Sequence, residues 1–206
     1  MAYIANTAFE VVTSNVSREN LQNVTGKFGS FAASTFTPDI CSAGFICTEH
    51  SRLPNEGYED AGILNDNSWY MVAATSGNVT GLPGDHTGLY VCNTYDVNRA
   101  SDGVLNFNFP GRTLGIATPA GERANFTEIR IGESYAWGAG NFSTAPSSTL
   151  TYATIVNGLL VAQAAAPTDG SVYFQIYEEG RFSAGTYDEG AKYYLKAFRS
   201  VAASGN

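Results

Sequence analysis

Charge is what this sequence has least of. Only 15% of its 206 residues are Asp, Glu, Lys or Arg, against about 25% in an average globular chain. The eleven basic residues are scattered singly and the formal net charge is −8. The clustered Lys and Arg that displace counterions from phosphates are missing, which excludes nucleic acid as a partner. No apolar run approaches the ~20 residues that cross a bilayer as a helix, and no membrane association is expected. The start, Met1-Ala-Tyr-Ile-Ala-Asn-Thr, has neither the basic nor the apolar region of a signal peptide, so export by that route is not expected either. Two histidines and three cysteines leave few parts for acid–base, nucleophilic or metal chemistry.

The chain is rich instead in glycine, hydroxyl and amide residues, and in aromatics, with twelve Tyr and twelve Phe. A neutral polar surface suits close packing against other protein, where desolvating charge is costly. A chain of this length buries about 70% of the surface its extended form exposes, so a core forms without disulfide staples. Cys41, Cys47 and Cys92 therefore read as reduced, buried thiols acting as small hydrophobes. A Cys41–Cys47 bridge stays open only if the Ala43-Gly44 segment brings the two Cα atoms within about 7 Å. Five Asn-x-Ser/Thr sequons, beginning at Asn15, Asn23, Asn78, Asn125 and Asn141, follow from the composition.

Gly and Pro recur about every ten residues, and apolar residues alternate with polar ones in several segments, which predicts an all-β fold. The expected architecture is an antiparallel sandwich or barrel-like domain with an extended N-terminal arm and long loops. Residues 1–36 read as the arm, with a short helix after Ser14 or Ser17 followed by extended chain. Residues 37–200 form the β-rich domain, and 201–206 a flexible tail. Strands are expected at 40–48, 68–75, 89–95, 104–110, 127–131, 152–161, 172–177 and 192–198. In the segment 127–131, Ile129 and Ile131 oppose Glu128 and Arg130 as on a half-buried strand. The stretch 50–67 is expected as an acidic loop, 77–88 as turns, and 132–148 as a Gly/Ser/Pro-rich interaction loop.

Each chemical motif has a plainer reading. Cys41, Cys47 and His50 match no standard zinc spacing, and no metal or other cofactor is expected. Cys92 and His86 lack an orienting third group for nucleophilic catalysis. Glu56, Glu59, Asp60 and Asp66 could pair as glycosidase carboxylates or calcium ligands, but they read as a solvated acidic loop, and Asn65-Asp-Asn-Ser lacks calcium-loop spacing. The glycines form no phosphate cradle. The chain is thus expected not to be an enzyme. Aromatics on alternating strand positions belong to a core, with Trp137, flanked by Gly138 and Gly140, expected near the surface. Phe9, Phe28, Phe31, Trp137 and Phe142 are the candidate contact residues.

The opening Met1-Ala-Tyr-Ile-Ala-Asn-Thr-Ala-Phe-Glu, together with Tyr152-Ala-Thr-Ile-Val-Asn-Gly-Leu-Leu-Val, Ala164-Ala-Ala-Pro and Val172-Tyr-Phe-Gln-Ile, resembles the capsid decoration (cement) proteins of tailed bacteriophages. The resemblance spans about a third of the chain. It implies a β-rich virion protein, made in the host cytoplasm, that binds the outer face of the shell and reinforces contacts between major capsid subunits, often as a homo-oligomer. Such proteins carry no catalytic residues. The alternatives are a carbohydrate- or receptor-binding β-domain using Trp69, Trp137 and the acidic loop, a glycoside hydrolase with Glu56 or Glu59 as acid, and another virion component such as a tail protein.

Overall fold

The computed structural model describes residues 9–11, 23–53, 68–75, 84–93, 117–184 and 187–201. The fold is all-β, as expected. In chain order the strands are β1 (Phe9–Val11), β2 (Asn23–Ala32), β3 (Thr35–Pro38), β4 (Cys41–Ser42), β5 (Ile46–Arg52), β6 (Ser68–Ala73), β7 (His86–Cys92) and β8 (Ala117–Thr118). They continue with β9 (Arg123–Arg130), β10 (Ser134–Gly138), β11 (Phe142–Thr144), β12 (Tyr152–Val156), β13 (Leu159–Gln163), β14 (Val172–Ala184) and β15 (Tyr187–Arg199).

Five strands close into a barrel in the order β2, β6, β5, β7, β9 and back to β2, with β3 attached to β2 as a hairpin. The remaining large sheet is open and seven-stranded, in the order β1-β10-β15-β14-β12-β13-β11. Pairing is antiparallel except for β2 with β6 and β11 with β13, which are parallel. Strand alternation sorts the barrel's residues into two sets. Val24, Phe28, Cys47, Met71, Tyr90, Cys92, Ala124 and Phe126 fill the barrel interior together with Cys41. Ile46, Leu89, Val91 and Ile129 face outward and meet Tyr135, Trp137, Ile155, Leu160, Phe174 and Leu195 of the open sheet in a second core.

Two of the seams that join the layers lie at residues 43–44 and 157–158. The Trp137 indole N–H donates to the Gly44 carbonyl at 3.0 Å, and Asn141 Nδ2 donates to the Ala43 carbonyl at 2.8 Å. At the second seam Gly158 N–H donates to the Ala74 carbonyl at 2.8 Å, while its own carbonyl accepts from Ile46 N–H at 2.9 Å. Asn157 and Gly158 both have positive φ, 49° and 78°, the conformation that an Asn-Gly hairpin turn of this type needs.

Several segments depart from expectation. Residues 23–36 are not an arm: β2 pairs with β3, β6 and β9 and closes the barrel. The expected strand 152–161 is a hairpin, β12 and β13, folded at Asn157-Gly158, and the two C-terminal strands run on to form one long hairpin. The expected loop 132–148 contains two strands and a short 3₁₀ turn, Ala139–Asn141. Its small residues are not a flexibility signal; Ser134, Ala136 and Gly138 are buried on one face of β10 while Tyr135 and Trp137 enter the core on the other. The helix expected after Ser14 or Ser17, the strand 104–110 and the tail 202–206 lie outside the described residues, as do Glu56, Glu59, Asp60 and Asp66. Among the described residues no helix is long and apolar enough to cross a membrane.

Candidate functional site

The five candidate contact residues separate in space. Phe9 lies in β1, its backbone in register with Trp137. Trp137 is fully buried, at 0% exposure, packed edge-on against Phe174, so the expectation of a surface indole is wrong. Its flanking glycines signalled exposure, but period-2 placement next to Tyr135 drives the ring inward. Phe142 is likewise buried, edge-on against Tyr193. Only Phe28 and Phe31 come together.

They line an open groove of about 610 Å³ with Gly29, Ser30, Asp39, Ile40, Phe45, His50, Val72 and Ala73. Phe28 is buried and meets Phe45 edge-on at 5.1 Å. Phe31 is half-buried and stacks on the exposed His50 ring at 4.0 Å, with Tyr70 and Phe36 at its other sides. Ile40 stands at the rim with 55% of its surface in water, and Asp39 holds its backbone N–H at 2.7 Å. An exposed aliphatic group and partly exposed rings thus share the rim of one groove.

A second aromatic surface covers the outer face of the open sheet. Tyr173 stacks on Phe198 at 5.7 Å and approaches Tyr152 at 6.1 Å, and Tyr177, 50% exposed, pairs with Tyr194. The ammonium groups of Lys196 and Lys192 lie over the Phe198 and Tyr194 rings, a cation–π arrangement. These residues alternate with Val172, Phe174, Leu195 and Ala197, which face the core. Sequence reading missed this surface. The available signal was the two-residue spacing of Tyr173 and Tyr177 about Gln175 and of Tyr194, Lys196 and Phe198.

A polar cluster occupies the end of the barrel where β9 finishes and β7 starts. Glu128, only 2% exposed, pairs with Arg130 Nε at 2.8 Å and with His86 Nδ1 at 3.2 Å. Arg130 Nη1 also reaches Asp85 at 3.1 Å and His86 Nε2 at 3.2 Å. A guanidinium only donates, so Nε2 accepts, Nδ1 carries the proton, and that proton points at Glu128. Glu128 and Arg130 sit on the interior parity of β9 with Ala124 and Phe126, so they are buried and mutually paired, where the alternation of 127–131 had suggested solvent. Next to them Tyr90 hydrogen-bonds Glu49. Burial raises the Glu49 pKa first; the Tyr90 bond opposes this, and Glu128 repulsion adds to it.

The three cysteines are free and buried, as expected. Cys92 lies among them in the barrel interior, apart from His86, which serves Glu128. Among the described residues no group of three His, Cys, Asp or Glu is arranged to hold a metal ion. No family model matches this chain, and no curated protein and no solved structure is similar enough to it to count as a match.

Proposed function

We propose that this chain is a structural protein of a tailed-bacteriophage virion, bound to the outer face of the capsid, where it reinforces contacts between major capsid subunits. The observation that carries the reading is the pair of aromatic surfaces on different layers of one fold: the Phe31–His50 groove beside the barrel and the Tyr173–Phe198 face of the open sheet. A protein that clamps neighbouring subunits needs two separate contact surfaces held at a fixed spacing. Hydrogen bonds to the backbone of Gly44 and Gly158 supply a stiff link between the layers. The scarcity of charge lowers the desolvation cost of both contacts, and repetition around a shell, as a homo-oligomer or within the lattice, turns modest single-site affinity into stable attachment. The reading needs no catalytic residue and no cofactor.

A sugar-binding platform built on Trp137 loses its basis, because that indole is in the core and its N–H is satisfied by Gly44.

The test is binding to capsids assembled without this protein, followed by sedimentation. Replacing Ile40 by Asp together with Phe31→Ala should weaken binding at least tenfold, and Tyr173→Ala with Tyr177→Ala should do so independently, each with little change in the thermal transition. Undiminished binding by the variant carrying all four changes, or location of the protein in the tail of purified particles, rejects the reading.

A further inference from the structure

We propose that the barrel interior holds an intramolecular disulfide site in which Cys41 is the shared partner of Cys47 and Cys92. The three thiols reach one place by different routes. Cys47 and Cys92 belong to adjacent strands; Cys47 is in register with Tyr90, two residues before Cys92, so the pair is diagonal on one face, with Cα atoms about 7–8 Å apart, beyond the usual disulfide span. Cys41 arrives from β4, after which the chain reverses through a turn closed by Phe45 N–H on the Ser42 carbonyl, with Gly44 at φ +79°. Gly44 N–H is held by the Cys92 carbonyl and Cys92 N–H by the Phe45 carbonyl, which fixes the turn against Cys92. The Cys41 thiol thereby comes beside both other thiols in one buried cluster.

All three are at 1% exposure or less, and desolvation raises the pKa of Cys41 and Cys47, which keeps them as protonated thiols and slows their attack on bulky disulfides. A small oxidant such as hydrogen peroxide is the fitting reagent. One thiol gives up its proton as its sulfur attacks a peroxide oxygen; the O–O bond breaks, and the departing hydroxide takes that proton, leaving a sulfenic acid and one water. The neighbouring thiol then attacks the sulfenic sulfur and water leaves, so that two thiols and one peroxide become one disulfide and two waters. The third cysteine has no partner left and stays reduced. On the virion reading the chain folds in a reducing cytoplasm and meets oxidants after release; the thiol chemistry itself is independent of that reading.

The test is thiol titration under denaturing conditions after native, dilute protein has been treated with hydrogen peroxide. The wild type should fall from three thiols to one with loss of the mass of two hydrogen atoms. Cys47→Ser and Cys92→Ser should each fall from two to none, and Cys41→Ser should keep both. Non-reducing peptide mapping of the wild type decides the matter even if a variant fails to fold: a Cys41-containing link supports the site. A Cys47–Cys92 link, a wild type that keeps three thiols, or loss only to sulfinic acid overturns it.

Discussion

Glu49 sits beside Tyr90 and Glu128 at the barrel end, and its titration has a predictable sign. Its pKa is raised above the ordinary 4.5 mainly by desolvation, so the folded state holds its proton more tightly than the unfolded chain. The associated stability is fully present below the ordinary value and is lost as pH rises through the folded value. Glu49→Gln cannot ionise and escapes that loss. Relative to wild type it should gain stability between about pH 4 and pH 7, read from urea midpoints at both. An unchanged difference at the two pH values would sink the assignment. At the same scale, alternation on β9 was legible from Ile129 and Glu128, but burial of Glu128 was not, because it depends on Arg130 and His86 meeting it inside a closed barrel.

The β12–β13 turn is one of the elements that link the two layers directly. A Cβ on Gly158 would lie 2.2 Å from the Phe45 ring, at φ +78°. Gly84 shares the positive φ, +67°, yet has nothing within 4 Å. Gly84→Ala should therefore cost about 1 kcal/mol, the left-handed strain alone, and Gly158→Ala about 2 kcal/mol or more, because Phe45 must also move. Chemical denaturation of the pair reads the difference directly, and equal costs would mean that the turn does not press on the barrel. The Asn157-Gly158 dipeptide was a visible hairpin signal inside a segment rich enough in apolar residues to read as one continuous strand. Residues 132–148 show the opposite error: Gly and Ser imply a loop unless a partner strand covers them, and β1 and β15 do so here.

For the whole molecule, barrel closure makes β2 indispensable. It pairs with β6 on one side and β9 on the other, and extends into the hairpin with β3. Deleting residues 1–36 should accordingly abolish the cooperative thermal transition and expose the barrel's apolar lining to a hydrophobic dye. A truncated protein that still melts cooperatively with a β-type circular dichroism spectrum would show that the barrel closes without it. The same closure gathers Cys41, Cys47 and Cys92, and it places the Phe31–His50 groove beside Phe28 and Phe45.

From the sequence alone follow the all-β class, the period-2 alternation of 127–131, the scarcity of charge and the burial of the thiols, because each rests on local periodicity or composition. Phe28 and Phe31 stood out in the sequence as apolar rings among small polar residues, and the structure places both on one groove. Only the tertiary structure decides that β2 closes a ring with β6 and β9, that Trp137 is core, that Glu128 and Arg130 face inward as a pair, and that Tyr173 and Phe198 share an outer face. Alternation states which side of a strand a residue occupies. Whether that side meets water or another layer is set by pairings between distant segments, whose closure entropy and complementarity leave no mark at any single position.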